Sequence, residues 1–263
     1  YGGHQMKKNV TPISAREFVN AAKLPSPTRG VGEGSREIID FNAQKTQTMI
    51  VASDVVSFVK GVSSERRQDI VNSSLLAQLV ANKQVPDKTN ITQWYKAYFD
   101  VLQNIGWVIQ DHSFSSYTEE ANGLEAHEAI LKVAGAFLGG APAALAIVMS
   151  TLEALKSMDS SKPWMTIFDR ETKHANTGHF QIALAEQGDH DQFMVSLMAF
   201  SLKAQSSLTQ ILFFKIRQDE VQLEKCAGKV TINDEVLSSV REQVKQKLAA
   251  HTSQYIAKLP DLG

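Results

Sequence analysis

No sign of charge dominates this sequence: 27 Lys and Arg residues stand against 28 Asp and Glu, a formal net charge of −1. Without an excess of one sign there is no global field to gather a polyanion, so nucleic acid is not an expected partner. Cysteine is almost absent as well. Cys226 is the only one, which excludes an internal disulfide and leaves the redox compartment unmarked. The phosphate-cradling GxxxxGK[ST] loop, the GxGxxG turn and the GxSxG elbow are all missing, and with them the simplest signatures of nucleotide and acyl-transfer chemistry. No apolar run follows Lys7 and Lys8, so a cleavable secretory signal is not expected and export would take another route.

Long uncharged runs are scarce. The exception is "KVAGAFLGGAPAALAIVMSTLEALK", in which Val133 to Leu152 are twenty residues without a charge. Twenty apolar residues in one helix would cross the ~30 Å hydrocarbon layer of a bilayer. Gly139, Gly140 and Pro142 sit in the middle, however. Glycine supplies a left-handed helix end, and proline favours the first turn of a new helix and disrupts an interior. The stretch therefore predicts two helices, near 124–138 and 141–158, joined by a tight turn. Each uncharged half is about ten residues, about 15 Å, too short to span alone. A hairpin buried in the core is the plain reading. A hairpin that opens and wedges into a bilayer is the sharper one, with Phe137, Leu138, Leu145, Ile147 and Val148 as its apolar side chains and Trp94 as a candidate interfacial ring.

What is present is globular: 43% hydrophobic and 21% charged residues over 263 positions. Residues 1–34 read as a short helix (15–22) followed by the Pro- and Gly-rich loop Lys23–Ser35. Residues 35–263 read as one α+β domain in three parts: helical over 35–160, antiparallel sheet over 161–232, amphipathic helix over 233–258. In the first part, helices are expected from Ser35 to Gly61, from Ser63 or Ser64 to Pro86, and across "KTNITQWYKAYFDVLQNIGWVIQ". After Pro163 the period changes to two, and a meander of four or five strands is expected. "HFQIALAE" and "QFMVSLMAFSLKA" are two of these, with a turn at Gln187–Asp191, "TQILFFKIR" is another, and "VQLEKCAGKVTI" is a weaker strand or pair. The segment at Phe193–Leu202 is apolar on both sides and should lie centrally in the sheet. Asn233 caps the last helix, with Asp234 and Glu235 at its positive end.

The candidate chemistry is thin. "EAHE" lacks the second histidine that a helical zinc motif places four residues on, and "KHANTGH" brings His174 and His179 together with no carboxylate or thiolate at ligand spacing. A solvated loop explains the second better, and no metal is expected. Trp94, Tyr95, Tyr98, Phe99 and Trp107 fit core packing at helical spacing better than a membrane belt. Cys226 lies beside Ala227 and Gly228, which leave room around the sulfur, while Lys225 and Lys229 would favour the thiolate.

The C-terminal half, "GHFQIALAEQGDHDQFMVSLMAFSLKAQSSLTQILFFKIRQ" followed by "INDEVLSSVREQVKQKLAAH", resembles the Erwinia virulence factor family of bacterial proteins that act on insect hosts. The long apolar strand, the "TQILFFKI" that follows and the closing helix carry the resemblance. It implies a mixed α/β fold, a virulence or toxin-like role, a bacterial protein soluble when made, and a fatty acyl group such as palmitate on a cysteine, for which Cys226 is the sole candidate. It further implies an apolar tunnel beside that sulfur. A lipid membrane is then the expected partner, with a host protein as a second. No non-covalent cofactor is expected. A looser likeness links the hairpin to helical pore-forming toxins. Two alternatives stay open: a soluble interaction or immunity-type module with the hairpin permanently buried, and a cysteine-dependent acyltransferase with His174 or His179 as base.

Overall fold

β-branched and aromatic residues gather into one sheet, as their fit to a pleated surface favours. The structure, a computed structural model, describes residues 9–27, 39–156, 162–187, 193–209, 211–212, 215–217 and 219–259. The cap expected at Ser35, the rest of its loop beyond Pro27 and the turn at 188–191 lie outside these. The sheet runs in the order β3 (Trp107–Val108), β8 (Val221–Ile232), β7 (Phe193–Ala204), β6 (Thr177–Gln187), β2 (Asp54–Phe58), β1 (Gln47–Val51), β9 (Ile256–Lys258). Two short strands, β4 (Ser115–Ser116) and β5 (Lys173–His174), add to β8 and β6. All pairs are antiparallel except β2 with β6. The class is α+β, with the helical amphipath α8 (Asp234–Leu248) near the C-terminus.

Alternation along β7 divides the core in two. Val195, Leu197 and Ala199 face a first apolar cluster, and Met198, Phe200 and Leu202 face a second. A strand buried on both faces belongs in the interior of a sheet, and β7 does lie between β6 and β8. The first cluster is covered by α1 (Pro12–Ala21), α2 (Ser64–Gln84), α3 (Ile91–Asn104) and α8. The second is covered by α4 (Thr118–Ala121), α5 (Ala126–Leu138), α6 (Pro142–Lys156) and α7 (Pro163–Thr172). A single-turn helix, α9 (Thr252–Tyr255), leads into β9. The result is three layers, helices over both faces of the sheet.

Three expectations fail here. The helix expected from Ser35 to Gly61 is instead the β1–β2 hairpin. "TMIVASDVVSFV" is rich in Val and Ile, every residue of both strands is buried, and Ala52 (φ 53°) turns the chain between them. A segment apolar on every side carries no period, so helix and strand cannot be told apart by spacing. The helical part thus contains strands, and the part from 161 opens with α7. The strand expected at "TQILFFKIR" is also absent among its described residues. Leu208, Ile211, Leu212 and Ile216 pack into the second cluster from irregular chain. Leu212, Lys215 and Ile216 bond to the chain that enters α5, through an isolated Glu125–Lys215 bridge and the Leu212 and Ile216 backbone, rather than to the sheet. Conversely, "VQLEKCAGKVTI" is one continuous strand paired with β7 along its length.

Candidate functional site

The uncharged run forms the two-helix hairpin α5–α6. Glu125 caps α5 in a capping box with Glu128, whose carboxylate accepts from the Glu125 amide at 2.8 Å. Gly139 does not adopt the expected left-handed conformation: its φ is −56°. Its glycine character has another cause, since a Cβ there would lie 2.7 Å from the Gly135 carbonyl oxygen. The turn closes with the Ala141 amide donating to the Leu138 carbonyl at 2.7 Å, and Pro142 begins α6.

Burial sorts the hairpin into two sides. Ile130, Val133, Ala134, Leu138, Ala144, Val148, Leu152 and Leu155 are buried, most of them in the second cluster. Phe137, Leu145 and Ile147 are half-buried. The solvent side from Gly135 to Ser150 holds Ala136, Gly139, Gly140, Pro142, Ala143, Ala146 and Met149, the last 47% exposed. No charge appears on either side between Lys132 and Glu153. This departs from surface helices in general, whose outer face is polar. Of the interfacial candidates, five therefore come together on one hairpin. Trp94 does not join them. It is 1% exposed in the first cluster, on the other side of the sheet, with its indole N–H donating to Asn82 Oδ1 at 2.8 Å and its ring stacked on Tyr98.

The hairpin helices are about 20 and 23 Å long. Among the described residues no helix is long and apolar enough to cross a membrane. What holds the hairpin to the sheet is apolar burial. The hydroxyl contact Thr48–Thr151, at 3.4 Å, is long for a hydrogen bond of this type.

Cys226 sits on β8 opposite Ala199 and faces the first cluster. Burial pushes its thiol up to about 11, Asp111 adds to the rise, and Lys225 opposes it without prevailing. The thiolate is thus disfavoured, contrary to the effect expected of the flanking lysines. The hollow beside the sulfur, walled by Phe99, Ile109 and Leu197, is about 10 Å³, room for one water. The acyl-length tunnel implied by the resemblance is not formed there. Neither His174 nor His179 hydrogen-bonds the sulfur.

Those two histidines do not occupy a solvated loop. They lie on the β5–β6 hairpin with ring centroids 5.6 Å apart, and His179 is 2% exposed against Trp94. Burial keeps both neutral, His174 at about 4 and His179 well below its ordinary value. Among the described residues no three His, Cys, Asp or Glu side chains group as metal ligands.

One buried cluster had no sequence signal. Asp54, at the start of β2, is 1% exposed; its Oδ2 accepts from Tyr98 at 2.9 Å and from Ser74, while Oδ1 has no partner. Burial raises its carboxyl to about 7, against the lowering effect of the Ser74 and Tyr98 hydrogen bonds. Ser53 donates to Gln78, and Gln181 to the Tyr95 hydroxyl at 2.8 Å. This network ties α2 and α3 to the sheet. Its members lie on four elements with no common spacing, so only the fold brings them together.

No family model matches the chain, and no curated protein sequence matches it. Among solved structures it is similar to a delta-endotoxin (14% identity, TM-score 0.42, 78% of this chain and 92% of that one) and to the Evf virulence factor (10% identity, TM-score 0.36, 76% of this chain and 83% of that one).

Proposed function

We propose that this chain is a toxin-like protein that acts on lipid membranes, with the α5–α6 hairpin as the element that enters the interface. The observation that carries the reading is the hairpin's charge-free solvent side, continuous with its buried apolar side. An amphipathic surface helix must pay to bring its charges to lipid; this hairpin has none to bring between Lys132 and Glu153. Contact begins with Met149, Ala146 and the Gly-Gly-Ala-Pro tip. Swinging away from the sheet then releases Phe137, Leu138, Leu145, Ile147 and Val148 into the acyl region. Helices of about 20 Å fall short of the ~30 Å hydrocarbon layer, so the hairpin enters the bilayer without spanning it. The acyl chains offer these side chains surroundings as apolar as the core they leave.

A virulence role, a host target and acylation of Cys226 belong to the same proposal as secondary parts. Acylation requires the cover over β8 at Ile109–Asp111 to lift, since the hollow at the sulfur holds no chain. The intact mass of protein from its native producer, before and after neutral hydroxylamine, tests it; an unmodified mass removes that part.

The hairpin itself is tested by a lock. Thr48→Cys with Thr151→Cys, in a Cys226→Ser background, places thiols where two hydroxyls now lie 3.4 Å apart. Oxidised protein should fail to release dye from vesicles of phosphatidylcholine with or without phosphatidylglycerol, and dithiothreitol should restore release. Equal leakage from verified cross-linked protein overturns the role of the hairpin. Absence of any binding to either vesicle by the unmutated chain overturns the membrane reading as a whole.

A further inference from the structure

On the opposite face of the sheet from the hairpin, a groove of about 360 Å³ opens between the N-terminal half of α3, the 112–114 segment and the paired positions Ser201 of β7 and Glu224 of β8. Its size is at the lower end of small-molecule sites. Three rings form the apolar wall. Tyr95 and Phe99 are buried beneath it, and Phe114 is half-buried, its ring 4.6 Å from that of Tyr95 and tilted by 38°. Five polar side chains converge on the same space: Thr92 and Lys96 from α3, His112, Ser201 from β7 and Glu224 from β8.

None of these five has a side-chain hydrogen bond or ion pair with another described residue. His112 Nδ1 is shielded from solvent and unpartnered, and Ser201 is only 8% exposed. Several buried polar side chains elsewhere are matched to each other, as Ser53 with Gln78, Gln181 with Tyr95 and Arg67 with Gln47 at 2.7 Å, while Asp54 Oδ1 and Ser196 Oγ are not. Thr92, Lys96 and Glu224 are exposed and reach water, so what marks the hollow is the shielded His112 Nδ1 beside the buried Ser201, both without a hydrogen-bond partner among the described residues. A polar group in a hollow without a partner is costly unless water or a ligand supplies one.

The chemistry of the lining narrows the ligand. Lys96 donates, Glu224 accepts, and the two hydroxyls and the imidazole do either. One positive and one negative side chain leave the groove with no net sign, which favours a neutral guest. Phe114 offers an aromatic face. A ring with an apolar C–H face and a rim of hydroxyls, each able to donate and accept, meets all of these at once. We propose that this groove binds a neutral pyranose, as the terminal sugar of a glycan. The site is independent of the hairpin and would choose the surface on which the protein settles.

Soluble sugars test this without any membrane, so the outcome is separate from the fate of the hairpin reading. Saturation-transfer NMR on the full chain would use methyl glycosides of glucose, galactose, mannose and N-acetylglucosamine. Transfer is expected from at least one. Binding should fall by about tenfold or more in Glu224→Gln and vanish in Thr92→Trp, an exposed first-turn position where the indole fills the groove; circular dichroism verifies that both variants fold. Met149→Lys should leave it unchanged. Once a sugar is found, competition against vesicles bearing a glycolipid with that terminus, and against a glycoprotein bearing it, separates a lipid-borne from a protein-borne source, and either supports the site. No transfer from any of the four, or transfer that survives Thr92→Trp, overturns it. Transfer from phosphocholine in place of all four glycosides also overturns it, in favour of a zwitterionic guest.

Discussion

The two helical layers are attached to the same sheet by different chemistry. The layer of α1, α2, α3 and α8 is tied by directed polar bonds as well as by its core. Arg241 on α8 holds Asp69 on α2 through contacts of 2.8 to 3.1 Å, and Arg66 reaches Asp234 at 3.1 Å. Fully buried Arg67 donates to the Lys45, Val59 and Val62 carbonyls. The α5–α6 hairpin is held chiefly by small and aliphatic side chains. Directed bonds have no substitute in lipid, whereas apolar contacts do. On the proposed membrane reading, the first layer is the body of the protein and the second contains the part that detaches.

The comparison can be broken most severely at Asp54. Its folded carboxyl titrates at about 7 against an ordinary 3.8. Between those values the folded state holds a proton that the unfolded chain has lost, so stability falls as pH rises from about 4 to about 7 and is flat above. Linkage makes that decline roughly 4 kcal/mol. The neutral histidines act in the opposite sense: His179 and His174 titrate below their ordinary value, so they remove stability as pH falls below about 6.5. Urea titrations across pH 4 to 9 should show Asp54→Asn losing the downward component and keeping the acid loss. An unchanged profile would show that the Asp54 network does not govern the pH dependence.

Leu75, fully buried on α2, sharpens the contrast with Leu152 on α6. Leu75→Ala should cost about 3 kcal/mol in global unfolding. Leu152→Ala should cost less globally, yet hydrogen exchange of α5–α6 amides should accelerate while α2 and α3 stay protected. Equal protection of both layers in the unmutated chain would erase the distinction. Arg241→Ala leaves the Asp69 carboxylate without its bidentate partner and should cost about 2 kcal/mol in thermal or urea unfolding. The smallest effect on stability, within about 0.5 kcal/mol, is expected for Met149→Lys at an exposed site. Its vesicle binding should nevertheless fall, since it introduces the one thing the hairpin surface lacks.

How much of this was legible follows from how local each signal is. Gly139, Gly140 and Pro142 announce a break, and the hairpin is where spacing and turn chemistry place it. The central position of β7 could be read from apolar residues at both parities, and α8 from its four-residue repeat and Asn233 cap. The β1–β2 hairpin could not, because a segment buried on all sides has no polar face to reveal its period. Nor could the irregular path of "TQILFFKIR", whose described apolar residues are buried against α5 without joining the sheet.

Sequence alone determined the class, the broken apolar run and the shortage of catalytic motifs, since each depends on residues adjacent in the chain. Only the tertiary structure decided that Trp94 lies on the far side of the sheet from the hairpin, that burial outweighs Lys225 at Cys226, and that Asp54 is buried with no cation paired to it among the described residues. It alone brought Thr92, Lys96, His112, Ser201 and Glu224 to one groove. Solvation and long-range proximity govern those outcomes, and both are properties of the packed layers rather than of any stretch of chain.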